Sequence, residues 1–120
     1  RQNELRLGNL NSVRDWGYAP EYVEAMWRML QQKEPSDYVI ATGIAATVSE
    51  FIDECFNFFD LDPNGFIILD DRYLRPTEVD SLIGDATKAE KVLGWKHKTN
   101  WKELARILCE FEKESLNREK

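Results

Sequence analysis

The sequence predicts a small mixed α/β fold with about four helices and three to four short strands. Helices are indicated by apolar residues at spacings of three and four, most clearly over 22–30 and 48–59. Strands are indicated by short runs of aliphatic and β-branched residues such as 66–69. Glycine, proline and aspartate punctuate these segments, as turns require.

The first half of the chain is expected to contain two strands and two helices. Leu5 and Leu7 alternate with charged residues and predict the first strand. Pro20 suits the first turn of a helix, which we expect to extend to about residue 33 with Trp27 as a core anchor. Residues 37–42 predict a second strand.

A capping box predicts where the second helix begins. Thr47 and Glu50 have the spacing at which each side chain binds the other residue's backbone N–H. The second half is expected to add a third strand at 66–69 and a further short strand at 81–84. A short helix then follows Asp85 and ends at Gly94.

The last helix is predicted to start at Asn100 as its N-cap. Its apolar stripe is predicted to comprise Trp101, Leu104, Ala105, Leu108 and Phe111. Beyond about residue 112 nearly every side chain is charged or polar, and this end is expected to fray.

Composition bounds the class of protein. The 120 residues are enough for one compact domain, and 22 acidic against 16 basic residues give a net charge of −6. This balance argues against general nucleic-acid binding. No apolar run has the length of a membrane span, and no secretory signal is visible at the start. Cys55 and Cys109 fall on apolar helix faces as expected of reduced core thiols, so a cytoplasmic location is predicted.

Two polar stretches contain the candidate binding residues. Arg14, on a loop between apolar neighbours, is suited to gripping a phosphate or a carboxylate. Alternatively, Arg14 and Asp15 pair to tie down the loop. In the second stretch Pro76 keeps Arg75 extended, although Arg72 and Arg75 equally suit the balancing of neighbouring acids.

Two other polar features are weaker candidates. Asp60, Asp62 and Asn64 superficially resemble a calcium loop, but Pro63 and the lack of a suitably placed downstream glutamate disfavour it. His97 lies in a Lys-His-Lys turn and is interpreted as a solvated loop residue. No metal site is predicted.

Several motifs in a fixed order resemble the C-terminal part of the GDP-mannose 4,6-dehydratase family, a branch of the extended short-chain dehydrogenases/reductases. They are Leu7-Gly-Asn-Leu10, Arg14-Asp-Trp-Gly17, Tyr22-Val-Glu-Ala-Met-Trp27, Tyr38-Val-Ile-Ala-Thr-Gly43, Arg75-Pro-Thr-Glu-Val79 and Leu93-Gly-Trp-Lys96. The resemblance spans nearly all of the chain. It implies that 1–120 is a nucleotide-sugar-binding lobe and that an N-terminal Rossmann domain binding NADP is absent from this chain.

The resemblance also implies a reaction for the complete protein, which would be a lyase and an oligomer. GDP-mannose would lose a hydride from C4 and water across C5 and C6, and the hydride would return to C6. The product would be GDP-4-keto-6-deoxy-mannose, a precursor of fucose. By position, Arg14 and Arg75 would contact the diphosphate and Glu78 the ribose, while Leu7, Gly8 and Asn9 would lie beside the guanine end.

Departures from the family pattern restrict what this chain does alone. Tyr18 replaces a commoner histidine, and His97 stands where a proline is usual. The chain has neither a Gly-x-x-Gly-x-x-Gly turn nor a Tyr-x-x-x-Lys pair, so it is expected to be inactive by itself and to contain no catalytic residue. The alternatives are a GDP-sugar reductase or epimerase of the same superfamily, and a non-catalytic module that binds nucleotide sugars or proteins.

Overall fold

The computed structural model of the chain describes residues 3–74 and 81–119. Those residues form four α-helices and five short strands, so the predicted mixed α/β class is confirmed. The helices are α1 (Ala19–Leu30), α2 (Val48–Phe58), α3 (Thr87–Leu93) and α4 (Trp101–Arg118). The strands are β1 (Leu5–Leu7), β2 (Val13–Asp15), β3 (Ala45–Thr47), β4 (Ile67–Leu69) and β5 (Ser81–Leu82).

The strands pair into two small sheets. In one, β1 runs parallel to β4, with Leu7 opposite Leu69. In the other, β2 is the central strand, antiparallel to β3 and parallel to β5. Because both edges of β2 are occupied, its backbone position is defined from two sides.

The prediction of a strand at 37–42 is wrong, because the described residues give this segment no ladder partner. Aliphatic alternation favours extended backbone, but a strand also needs a free sheet edge beside it. Both edges of β2 are taken by β3 and β5. The segment ends instead where the backbone N–H groups of Thr42 and Gly43 donate to the Asp15 carboxylate.

The prediction of Trp27 as a core anchor is also wrong, since this residue is 62% exposed. The opposite side of α1, where Ala25 is fully buried, packs on α3 and on Trp95, which follows α3 in the chain. The aromatic anchor there is Trp95, which is 2% exposed and donates its indole N–H to the Glu21 carbonyl at 2.8 Å. Helix α1 ends at Leu30, three residues before the predicted end.

The predicted capping box is confirmed. Glu50 N–H donates to Thr47 Oγ1 and Thr47 N–H donates to Glu50 Oε1, both at 3.0 Å. Helix α2 packs on α4, where Cys109 is buried and its Sγ lies 3.9 Å from the Cys55 carbonyl oxygen. Burial raises the pKa of Cys55 to about 12, as suits a core thiol.

The third helix begins one residue later than a cap at Asp85 implies. Its N-cap is Ala86, and the Asp85 carboxylate accepts from Thr87 N at 3.0 Å in the turn before the helix. Gly94 ends the helix at φ 65°, as predicted. Arg28 from α1 donates to the Gly94 carbonyl at 2.7 Å and so holds this end against α1.

The last helix starts at its predicted cap, with Asn100 Oδ1 accepting from Glu103 N at 2.9 Å. The expectation that it frays beyond about residue 112 is wrong, because α4 continues to Arg118. Good helix formers and an i,i+4 pair between Glu114 and Arg118 support this exposed end. Leu108 and Phe111 are 47% and 65% exposed, so the prediction that they belong to the packed stripe is wrong.

The chain is flatter than the compact domain that its length suggests. Its radius of gyration is 17.3 Å, against about 14 Å for a compact domain of this size. Its principal extents are 52 × 39 × 19 Å. In the described ranges no helix combines the length and the apolar character that crossing a membrane needs.

Candidate functional site

The prediction that Arg14 lies on a loop is wrong, because Arg14 is the middle residue of β2 and has a paired strand on each side. Its Cα partners are Ala46 on β3 and Leu82 on β5. The side chain is half-buried, and one guanidinium nitrogen, Nη1, donates to the Val13 carbonyl at 2.9 Å. A guanidinium on such a fixed backbone suits directional binding of an oxyanion.

Asp15, the last residue of β2, gathers donors from two distant segments. Its Oδ1 accepts from Thr42 N at 2.9 Å and from Thr42 Oγ1 at 2.6 Å. Its Oδ2 accepts from Gly43 N at 2.8 Å and from Gly84 N at 3.3 Å. Burial would raise the pKa of Asp15, but these hydrogen bonds hold it below the usual value. The carboxylate is therefore charged at neutral pH.

Trp16 anchors the chain directly after β2. Its ring stacks on Phe51 of α2 with centroids 4.3 Å apart, and its indole N–H donates to the Ala46 carbonyl at 2.9 Å. The two residues that follow Arg14 therefore both hold this part of the chain in place, Asp15 through hydrogen bonds to its carboxylate and Trp16 through ring stacking and an indole hydrogen bond.

A cavity of about 280 Å³ opens beside Arg14. Apart from Arg14, Asp15 and the half-buried Tyr22, its lining is apolar or glycine. The remaining lining residues are Val39, Ile40, Ala41, Leu82, Ile83 and Gly84. A cation at the side of an apolar pocket suits a ligand that has an anionic group next to a less polar part.

Larger concavities of about 600, 680 and 450 Å³ lie elsewhere, and some of the cations that line them make local contacts. In the first, Arg6 binds Glu4 at 2.9 Å and Asp70 at 3.5 Å. In the second, Lys88 Nζ donates to the Asp37 carbonyl at 2.7 Å.

Leu7, Gly8 and Asn9, predicted beside a guanine, lie at the end of β1, in the other sheet from Arg14. A Cβ on Gly8 would come within 2.4 Å of the Tyr73 carbonyl oxygen, so only glycine admits this backbone approach. Asn9 Oδ1 accepts from Asn11 N at 2.9 Å, which shapes the turn after the strand.

Arg75 and Glu78 lie outside the described residues, which end at 74 and resume at 81. Their convergence with Arg14 on one ligand therefore stays a prediction. Arg72 is described, and the alternative of local charge balance is confirmed for it. Its Nη2 lies 2.7 Å from Asp70 Oδ2, and this hydrogen bond holds the Asp70 pKa well below its usual range.

The turn around His97 is organised by Glu21, which the sequence did not single out. The Glu21 carboxylate accepts from Lys98 N at 2.7 Å and from Thr99 N at 3.2 Å. His97 is half-buried there. Among the described residues no cluster of three or more histidine, cysteine or acidic side chains has the arrangement of a metal site.

Sequence reasoning also missed the role of Asp15, which it considered only as an alternative partner of its neighbour Arg14. The available signal was weak, because an acid after an arginine is common at surfaces. The donors that bind Asp15 are 27 or more residues away in sequence, and only the fold brings them together.

Comparison with known proteins supplies the family. The model of the GDP-mannose 4,6 dehydratase family matches residues 1–108 of this chain. The chain belongs to the GDP-mannose 4,6-dehydratase family. The Arabidopsis thaliana protein named GDP-mannose 4,6 dehydratase 2 is 49% identical over 119 residues, which are 99% of this chain and 32% of that protein. The chain spans about a third of the length of this relative.

Solved structures agree on the fold. RMD from Pseudomonas aeruginosa, solved with NADPH, matches 92% of this chain and 36% of its own with a TM-score of 0.78 and 21% identity. A UDP-glucose 4-epimerase from Thermotoga maritima, solved with UDP-glucose, matches 94% and 36% with a TM-score of 0.80 and 24% identity. At these identities the similarity establishes the fold and does not identify the substrate.

Proposed function

We propose that this chain is the nucleotide-sugar-binding part of a GDP-mannose 4,6-dehydratase. The complete protein would be a lyase that converts GDP-mannose to GDP-4-keto-6-deoxy-mannose by internal redox and dehydration. The family membership supports the reaction. The observation that carries the binding role is Arg14, whose backbone lies between two paired strands beside a largely apolar cavity.

Arg14 and Arg75 are proposed to bind the diphosphate. A buried diphosphate needs charge-assisted donors on more than one side, because desolvating its oxygens without partners is costly. Glu78 is proposed to contact the ribose. Leu7, Gly8 and Asn9 are proposed to lie along the guanine end.

NADP is proposed to be held by an N-terminal Rossmann domain outside this chain. The residues present do not fit a dinucleotide, because the six glycines of the chain never occur as Gly-x-x-Gly-x-x-Gly. None of its four tyrosines is followed four residues later by lysine. We therefore assign no redox or acid–base step to the 120 residues. The NADPH bound to the Pseudomonas protein of similar fold is consistent with this division.

The remaining proposals concern the complete protein in the cell. We propose that it acts in the cytoplasm, forms a homo-oligomer, uses no nucleic-acid or membrane partner, and supplies GDP-fucose biosynthesis. The two cysteines are free thiols, as suits a reducing compartment. A reductase or epimerase activity is less well supported, because the epimerase similarity is one of fold at 24% identity.

The test is to supply GDP-mannose and NADP to the complete protein and to follow the sugar product by mass. Loss of one water from the sugar nucleotide is expected. Recovery of an isomer of unchanged mass would indicate an epimerase and contradict the proposal. Calorimetric titration of the 120-residue chain with GDP-mannose separates a binding lobe from a pure protein-interaction module, which gives no signal.

A further inference from the structure

The Asp15 carboxylate joins three segments that are far apart in sequence. Each carboxylate oxygen accepts two hydrogen bonds. Oδ1 accepts from the backbone N–H and the hydroxyl of Thr42. Oδ2 accepts from the backbone N–H groups of Gly43 and Gly84. All four partners are donors. Only a charged carboxylate provides acceptors for all of them, since an amide in its place would direct an NH₂ group at backbone N–H groups.

The segments that Asp15 joins also touch each other. A Cβ on Gly84 would lie 2.3 Å from the Cβ of Ala41, so the backbone after β5 rests directly on the residues before Thr42. Packing this close leaves no room for a side chain at residue 84. Asp15 therefore closes a small, tightly packed junction.

This junction adjoins Arg14. The strand β5, which leads into Gly84, is paired with β2 at Arg14 through Leu82. The cavity beside Arg14 is lined by residues of both joined segments, including Ala41 and Gly84. Releasing Asp15 would loosen β2 at its end and one wall of the cavity at the same time.

We propose that Asp15 is a positioning residue for the sugar-nucleotide site. By fastening β2 to Thr42, Gly43 and Gly84, it holds the backbone of Arg14 and the adjoining cavity wall in the geometry that binds the diphosphate. This inference rests on the proposed function, since it takes Arg14 as the residue that contacts the ligand.

The test uses the complete enzyme and measures the Kd of GDP by calorimetry. Asp15→Asn is expected to raise the Kd about tenfold or more while the affinity for NADPH stays within about twofold, because the coenzyme binds elsewhere. Asp85→Asn is the matched control. Asp85 also accepts from a backbone N–H and a threonine hydroxyl, at 3.0 and 2.5 Å, but among the described residues both donors belong to Thr87. Its variant should bind GDP normally.

A double variant separates positioning from stability. If Asp15 acts through Arg14, Asp15→Asn should weaken GDP binding much less in an Arg14→Ala background than in the wild type. Equal losses in both backgrounds would overturn the proposal. So would a lower melting temperature with an unchanged Kd, which would make Asp15 merely structural. An unchanged Kd in Arg14→Ala alone would instead refute the proposed function and this inference with it.

Thr42 provides the test if Asp15→Asn fails to fold. Thr42→Val keeps the side-chain shape but removes the hydroxyl, which donates to Asp15 and accepts from Ile44 N at 3.1 Å. A several-fold weaker GDP affinity is expected. Thr42→Ser retains the hydroxyl and should restore wild-type binding. Identical Kd values for the wild type and both variants would contradict the positioning role.

Discussion

The strand β2 and the outer face of α1 are neighbours in sequence. They differ in how many of their hydrogen-bonding and apolar groups find a partner within this chain. Around β2, both ladder edges are paired and the Asp15 carboxylate is filled with donors. On α1, four apolar side chains at helical spacing are 59–82% exposed, namely Val23, Met26, Trp27 and Leu30. The polar junction is complete within the chain, and the apolar face is not.

This difference indicates which part of the chain would depend on the proposed N-terminal Rossmann domain. Hydrogen bonds act over short distances, and Thr42, Gly43 and Gly84 of this chain all donate to Asp15. A continuous apolar stripe of large side chains costs free energy in water until another surface covers it. We expect the backbone around β2 to keep its geometry in the isolated 120-residue chain. We expect the apolar face of α1 to be covered by the proposed N-terminal Rossmann domain, which we call the coenzyme domain.

The largest expected effect is the loss of coenzyme binding and turnover in the 120-residue chain. The chain has no glycine-rich turn and no Tyr-x-x-x-Lys pair. Titration with NADPH, followed by its fluorescence, should give no saturable change, and GDP-mannose should remain intact. Micromolar NADPH affinity would show that the division between the two parts is wrong. Restoring the N-terminal part should restore both properties.

The next largest effect concerns two tryptophans. Trp27 lies on the exposed face of α1, and Trp95 packs against the buried face of that helix. Trp95→Ala should destabilise the 120-residue chain by about 3–5 kcal/mol, because it empties a buried site and removes the indole bond to Glu21. Trp27→Ala should change the stability by less than about 0.5 kcal/mol, because the side chain is 62% exposed.

Urea unfolding of both variants tests this contrast, and the complete enzyme sharpens it. There Trp27→Ala should become destabilising if the coenzyme domain covers α1. Equal effects of the two substitutions in the 120-residue chain would mean that the exposed and buried sides of α1 are assigned wrongly.

A smaller effect is expected for the two arginines that we propose to bind the diphosphate. In the complete enzyme Arg14→Ala and Arg75→Ala should each weaken GDP-mannose binding by about 1.5–3 kcal/mol, the scale of a charge-assisted hydrogen bond. Lysine should rescue only partly, since it keeps the charge and loses the planar fork. Calorimetry measures both changes.

Arg72→Ala is the matched control for these two variants. Its guanidinium is held by Asp70 at 2.7 Å and its side chain is 73% exposed, so its removal should alter GDP-mannose affinity little. If Arg72→Ala weakens binding as much as Arg75→Ala while Arg14→Ala has no effect, the placement of the diphosphate is wrong.

The smallest effect on folding is expected from a charge on the apolar face. The 120-residue chain should self-associate or bind hydrophobic dyes, and Trp27→Glu should reduce both while its stability changes by less than about 0.5 kcal/mol. Phe111→Glu on α4, where the ring is 65% exposed outside the α1 stripe, is the control. A monodisperse wild-type chain without dye binding would contradict the idea that this face needs covering.

Features of the site were predictable to different degrees. Arg14 was recognised as a binding candidate from its residue type and neighbours, but it was placed on a loop instead of a strand, and its binding role stays a prediction. Asp15 was not understood, because its donors come from segments 27 and 69 residues away. Arg75 and Glu78 were assigned by resemblance, and they lie outside the described residues.

The sequence by itself determined the features that depend on residues within one helical turn. These include the Thr47–Glu50 capping box, the Asn100 cap and the left-handed end at Gly94. Tertiary structure decided which apolar residues are buried and which extended segments become strands. Trp27 and Trp95 have the same side chain but opposite exposure, and residues 37–42 have strand composition without a partner edge. The reason is physical: a cap is satisfied by its own chain neighbours, whereas burial and strand pairing require a surface that only the folded chain brings near.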